Sequence, residues 1–228
     1  MEETVQDYNK IMKEEIASLS SEKEKPTLFL HACCGPCLTY PLSVLTKYFK
    51  VTVGFFNPNI YPVSEYEKRL QVLESFVQRY AKDEKLTIDL VINEEDFSSY
   101  QKSFECRKDD REGGNTCLRC HAYRMGLAYR YAALHHFDYF TTVMTVSSKK
   151  PSQELNEIGI MLSKNYPETK YLLSDFKKEG GQLKGILIGR KYNLYRQNYC
   201  GCYYSLLERM KEEKKKSQLS ENSLQIRR

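Results

Sequence analysis

Apolar and polar positions fall in blocks along this chain that predict strands and helices in turn. Thr27-Leu-Phe-Leu-His-Ala-Cys33 is a short apolar run between Pro26 and Gly35, the pattern of a buried strand. Pro36 suits a first helical turn, and Leu38 to Phe49 has helical apolar spacing. Val51-Thr-Val-Gly-Phe-Phe56 predicts a second strand, closed by Asn57-Pro58-Asn59. A helix is predicted from Glu65 to Ala81, with Leu70, Leu73, Phe76 and Val77 on one face, and a third strand from Leu86 to Ile92. Residues 93–116 are polar and predict a long irregular loop, of the kind that usually carries function. A helix from Thr116 to His135, a strand from Tyr139 to Val146 and a helix from Glu154 to Tyr166 follow. Gly185-Ile-Leu-Ile-Gly189 fits a strand or a helix, and Cys202 to Lys215 predicts a closing helix.

Strands that alternate with helices predict βαβ units and an open, mainly parallel, Rossmann-like α/β sheet. Residues 1–24 read as a charged, peripheral helical extension. Residues 25–207 read as one catalytic α/β domain, and 208–228 as a charged helix end and tail.

Composition narrows the picture. The chain has 228 residues, 41% of them hydrophobic, enough for a proper core. It has no run of about 18 apolar residues, so no membrane-spanning helix is expected. Its first residues are acidic and lack a signal-peptide core, which predicts a cytoplasmic protein. The net charge of +5 is only mildly basic. Part of that excess is the exposed run around Lys211, Lys214, Lys215 and Lys216.

The cysteines change the picture most. Seven of the eight fall in three groups: Cys33-Cys34-Gly-Pro-Cys37, Cys117-Leu-Arg-Cys120 and Cys200-Gly-Cys202. Cys106 stands apart and reads as a bystander. A reducing compartment favours metal binding or thiol chemistry over structural disulfides. Four thiolates complete one zinc site or one iron–sulfur cubane, so seven are a surplus. The first group lies after a strand and before a helix N-terminus, where backbone N–H groups favour thiolates. Cys34-Gly-Pro-Cys37 also has the sequence of a thioredoxin-type dithiol. A thiol-disulfide oxidoreductase is therefore the alternative reading. Against it, the chain has no Trp, and that reading gives Cys33 and the other two groups no role. A zinc module that binds nucleic acid is the third reading.

Other residues are candidates by position. His31 is either a hydrogen-bonded core residue or a proton donor. Asp109, Asp110 and Glu112 are either a solvated acidic loop or carboxylate ligands of a second metal. Arg107, Arg111, Arg119, Arg124, Lys149, Lys150 and Arg196 form a basic scatter. Arg119 and Arg196 adjoin the cysteine groups and are the best candidates for phosphate or substrate contact.

Five stretches together carry a family resemblance. They are His31-Ala-Cys-Cys-Gly-Pro-Cys37, Phe56-Asn-Pro-Asn-Ile-Tyr-Pro62 with Glu65-Tyr66, and Glu112-Gly-Gly-Asn-Thr-Cys-Leu-Arg-Cys120. Phe140-Thr-Thr142 with Ser147 and Lys149, and Tyr195-Arg-Gln-Asn-Tyr-Cys-Gly-Cys202, complete the set. In this order and spacing the chain resembles the QueH-type epoxyqueuosine reductases from about residue 27 to 207. The resemblance implies a fold akin to adenine-nucleotide α-hydrolase and PP-loop proteins. It implies removal of the epoxide oxygen from epoxyqueuosine in the tRNA wobble position. It also implies a [4Fe–4S] cluster beside a further iron. Carried over by motif, Cys33, Cys34, Cys37, Cys117, Cys120, Cys200 and Cys202 match the family's cysteines. Cys33, Cys34 and Cys37 are expected to take part in catalysis, and Cys34, Cys117, Cys120 and Cys202 to hold the cubane. Thr116 stands where the family often has Arg, so no cationic role is assigned there.

Turning an epoxide into an alkene takes two electrons and releases the oxygen as water. A cluster delivering electrons beside a Lewis-acidic iron would explain the surplus of thiolates. The chain has no dinucleotide-binding GxGxxG motif, so an external electron donor is expected.

Overall fold

The computed structural model describes residues 6–19, 24–93, 97–104 and 112–225. Five parallel strands form one open sheet: β1 (Thr27–His31), β2 (Lys50–Phe55), β3 (Asp89–Ile92), β4 (Tyr139–Thr142) and β5 (Lys170–Tyr171). The order across the sheet is β3-β2-β1-β4-β5, so the chain reverses direction of travel between β1 and β4. In such sheets the crevice beyond the carboxyl ends of the strands at this switch point holds the ligand. The two strands meet in register with His31 beside Thr142, and the chain leaves β1 directly into Cys33 and Cys34.

The helices are α1 (Tyr8–Ser18), α2 (Gly35–Leu45), α3 (Val63–Glu84), α4 (Phe97–Phe104), α5 (Asn115–Leu134), α6 (Ser152–Ser163), α7 (Gly181–Lys191) and α8 (Tyr203–Gln225). α2 packs on α3 and α7, while α5 packs on α6, β1 and β4. α1 starts at Asp7, whose carboxylate accepts from the Asn9 and Lys10 amides at 3.1 Å. It buries Tyr8, Met12 and Ile16, four residues apart, and the last two join the main core. Phe29, Leu30, Val53, Phe55, Met125, Phe140 and Leu155 are fully buried in that core. Gly54 is required at its place, since a Cβ there would collide with the Phe29 ring.

Two expectations need correction, and two stretches left open are now defined. The strand predicted to reach Val146 stops at Thr142, and Val143–Val146 is a 3₁₀ turn. The Thr142 hydroxyl accepts from the Met144 amide at 3.2 Å and draws the backbone out of the ladder. The stretch 93–116 is not one loop: it contains α4, whose Tyr100 and Phe104 rings stack at 4.4 Å and pack near Tyr123. β5, only two residues long, has no strand signal in the sequence. Gly185–Gly189 is helical within α7, where Gly185 approaches the Thr39 hydroxyl of α2. No helix among the described residues is long and apolar enough to cross a membrane.

Candidate metal centre

The first cysteine group sits on the loop from β1 to α2. Cys34 is the residue before the first helical turn, in extended conformation, with Gly35 and Pro36 following. Cys33 and Cys34 are buried and Cys37 is half-buried. Their three sulfurs lie within 4.8 Å of one another, and the Cys33–Cys34 separation is 3.8 Å. A tetrahedral ion with metal–sulfur bonds of about 2.3 Å has its ligand sulfurs about 3.8 Å apart. Among the described residues no other set of three ligand groups is so close. This triad could hold a metal.

The second group opens α5 and the third closes the turn before α8. The Cys117 sulfur accepts from the Gly113 amide at 3.2 Å, and the Cys202 sulfur contacts the Ser205 amide and hydroxyl. Burial pushes the Cys117 thiol up to about 11, and the charges of Cys200, Cys120 and Cys202 add to the shift. Cys202 is raised likewise, by burial and then by Cys200 and Cys120. The four sulfurs thus share one electrostatic neighbourhood. All seven cysteines of the three groups are free thiols. Cys106, Asp109, Asp110, Arg107 and Arg111 lie outside the described residues.

The helix N-terminus does not lower all three thiols of the first group. Cys33 is held well below the ordinary thiol value by hydrogen bonds from Cys34 and Cys37, then by Lys150 and Arg124. Cys34 is pushed up to about 12, first by sharing with Cys33, and Cys37 is raised well above its ordinary value for the same reason. One charge is shared among three sulfurs, and burial opposes a second. This disfavours the dithiol switch: its leading sulfur, Cys34, is buried and protonated.

The third group is held from α3. Arg69 is 2% exposed and donates to Glu65 at 2.7 Å, to the Cys200 carbonyl at 2.8 Å and to the Tyr199 carbonyl at 3.2 Å. Gly201 has φ +134°, and a Cβ there would stand 2.9 Å from the Arg69 guanidinium. The sequence reading missed Arg69. Its signal is a charged residue on the stripe of Leu73, Phe76 and Val77.

A cavity of about 530 Å³ opens beside these groups, a size for one drug- or nucleoside-sized ligand. Cys33, Cys37, Cys117 and Cys200 line it, with Arg124, Lys149, Lys150, Arg190 and Arg196 as cations and Glu112 and Glu154 as carboxylates. Arg119 is exposed and does not line it. Cys202 lines a smaller pocket of about 180 Å³ with Tyr61, Tyr100, Phe104 and Tyr203. His31 is a fully buried core residue: its Nε2–H donates to the Phe56 carbonyl at 3.2 Å and its Nδ1 meets the Thr142 hydroxyl at 3.0 Å. Burial, then the Arg124 charge, lowers its pKa to about 4, so it is neutral.

The residues present fit a metal cofactor. The three sulfurs of the first group lie within 4.8 Å of one another, and Cys33, Cys37, Cys117 and Cys200 share one cavity wall with the buried cation Arg124. Three side chains that line the cavity carry buried polar atoms without a protein partner: Nδ1 of His121, Nε of Arg124 and Oε1 of Gln197. His121 and Gln197 were also missed, although each adjoins a cysteine group.

Fold and site together define a cysteine-rich site, able to hold a metal, at the switch point of a parallel α/β sheet. The family model described as epoxyqueuosine reductase QueH matches residues 28–208. The chain is 35% identical over 198 residues to the epoxyqueuosine reductase QueH of Streptococcus pyogenes serotype M1, covering 87% of this chain and 77% of that protein. It is 35% identical over 203 residues to that of Staphylococcus epidermidis, covering 88% and 85%, and 30% identical over 186 residues to that of Thermotoga maritima, covering 80% and 92%. The chain belongs to the epoxyqueuosine reductase QueH family, and it is an oxidoreductase.

Proposed function

We propose that this enzyme converts epoxyqueuosine to queuosine in the wobble position of tRNA, in the cytoplasm, with electrons from an external donor. The observation that carries the reading is that four of the seven free thiols, Cys33, Cys37, Cys117 and Cys200, line one cavity at the sheet's switch point, within a chain matched to this family over residues 28–208.

The spacing of the thiols suggests how they divide. Cys33, Cys34 and Cys37 have the separation of ligands to one ion. Two of them face the cavity, so such an iron would have an open side toward substrate. Cys117, Cys120, Cys200 and Cys202 are the remaining four, and a cubane holds its cysteine sulfurs farther apart than a single ion does. This division moves Cys34 from the cubane, where the sequence reading put it, to the single iron. When bound, the [4Fe–4S] cluster supplies electrons and the neighbouring iron a Lewis acid.

The protein's own groups do the rest. Lys149, Arg190 and Arg196 on the cavity wall suit the phosphates of a single-stranded loop. Lys150 shares the cavity wall with Cys33, Cys37 and Cys200; burial opposes its charge, but negative charge on these sulfurs holds its ammonium above its ordinary value. It would place a cation beside the oxygen that leaves as water. Arg69 and Gly201 fix the turn that carries Cys200 and Cys202.

The test is the fate of epoxyqueuosine in tRNA incubated with iron-loaded enzyme and a reductant. Conversion to queuosine supports the reading, and its persistence with fully loaded enzyme overturns it.

A further inference from the structure

Arg124 is a buried charge with no carboxylate partner among the described residues. It is 2% exposed, at the middle of α5, one helical turn beyond Cys120. Nη1 donates to the Asn57 amide oxygen at 3.2 Å, and Nη2 contacts the Met144 sulfur at 3.2 Å. Nε has no partner. Among the described residues it forms no ion pair, whereas the other fully buried arginine, Arg69, is paired with Glu65 at 2.7 Å. A buried guanidinium facing neutral groups is costly unless an anion compensates it. Arg124 lines the same cavity as Cys33, Cys37, Cys117 and Cys200, and Cys120 stands one turn before it on α5, so the anion in reach is a cysteine-bound metal centre. Burial opposes the guanidinium's charge, and negative charge on Cys120, Cys200 and Cys33 holds it above its ordinary value.

We propose that Arg124 is the fixed counter-charge of the thiolate-bound iron site and sets its reduction potential. The inference rests on the iron–sulfur centre proposed above and adds a residue that is not one of its ligands. The physical reason is direct. Reduction adds one negative charge to a centre already ringed by thiolates. A fixed cation in a medium of low dielectric stabilises that added charge more than the oxidised state, and so raises the potential. Arg suits the task because it stays protonated when buried. Asn57 keeps the guanidinium in place without neutralising it. Its own amide N–H donates to the Ala32 carbonyl at 2.8 Å, next to Cys33, so one side chain ties Arg124 to the first cysteine loop.

The experiment is a dye-mediated redox titration of the anaerobically iron-loaded protein, followed by visible absorbance, with no RNA present. Arg124→Gln removes the charge. Asn57→Asp keeps the Arg124 side chain and sets a carboxylate beside it, with loss of the hydrogen bond to the Ala32 carbonyl. Arg124→Lys retains the charge. We expect both neutralising variants to shift the oxidised-to-reduced balance at least tenfold toward the oxidised form, which is 59 mV more negative for one electron. Arg124→Lys should stay within threefold of the unchanged protein. The proposal is overturned if the neutralising variants stay within threefold, or if Lys and Gln shift alike. If neither neutralising variant retains iron, retention by Arg124→Lys supports a need for charge, and its loss there too shows a purely packing role. A protein that loads no iron at all would refute the proposed function itself. Unchanged potentials in a loaded protein would refute only the role of Arg124.

Discussion

The Gln197 side-chain amide donates a hydrogen bond to the Cys34 sulfur at 2.8 Å, across 163 positions of sequence. It joins the segment between α7 and α8 to the loop after β1, so the third cysteine group is tied to the first. The bond favours the thiolate of a sulfur that Cys33 still holds up at about 12. Removing such a partner of a ligand typically weakens metal binding 10–100-fold. Gln197→Leu should therefore raise the free iron concentration needed for half-loading by at least tenfold, read by anaerobic titration. Unchanged loading would show that the bond is incidental.

The turn at Gly201 should not accept a side chain. Its φ of +134° is strained for any L residue, and the new Cβ would meet Arg69 at 2.9 Å. Gly201→Ala should destabilise the fold by about 1–3 kcal/mol and lower iron content. Thermal unfolding and iron analysis read the two effects separately.

Arg69 is the clamp on that turn. Truncation to Ala leaves the half-buried Glu65 without its ion pair and the Cys200 carbonyl without its donor. Breaking a buried pair from one side costs about 3–5 kcal/mol. Denaturant unfolding of Arg69→Ala should show a loss of that order, and the double variant with Glu65→Gln should recover part of it. No recovery would mean that the carbonyl contacts, not the pair, carry the effect.

The acid side of the stability profile should involve α1. Burial raises the Glu15 pKa, but the Lys170 and Tyr139 hydrogen bonds outweigh it, so the carboxyl sits below its ordinary value. The folded protein then binds fewer protons there than the unfolded chain. The contribution is fully present above the ordinary carboxylate pKa and is lost as pH falls through the lowered value. Glu15→Gln should be less stable at pH 7 and show a shallower decline below about pH 4.5. Parallel profiles for the two proteins would remove Glu15 from this role.

Much of the fold was legible. The order of strands and helices follows from apolar periodicity, and the predicted bounds of α3, α5 and α6 fall within about three residues of those found. What escaped has particular causes. α4 hides in a polar stretch because only Tyr100 and Phe104 mark its buried side, at helical spacing. The early end of β4 depends on one hydroxyl bond from Thr142, which no hydropathy pattern shows. At the site, the clustered cysteines announced themselves by spacing. Arg69, His121 and Gln197 did not, because their roles arise from contacts more than a hundred residues away or from an atom left unpaired by the fold.

The proposed division of the seven thiols predicts two kinds of variant. Cys37→Ser should lower iron by about one atom per chain and leave the broad absorbance near 400 nm that marks a cubane. Cys117→Ser should abolish that absorbance. Loss of absorbance in Cys37→Ser with full retention in Cys117→Ser would reverse the assignment.

The central claim is tested most directly by mass spectrometry of nucleosides from epoxyqueuosine-containing tRNA after reaction with the iron-loaded enzyme and a strong reductant. The expected result is conversion of epoxyqueuosine to queuosine, dependent on both iron and reductant. Epoxyqueuosine that remains intact in the presence of a fully loaded, reduced enzyme would contradict it.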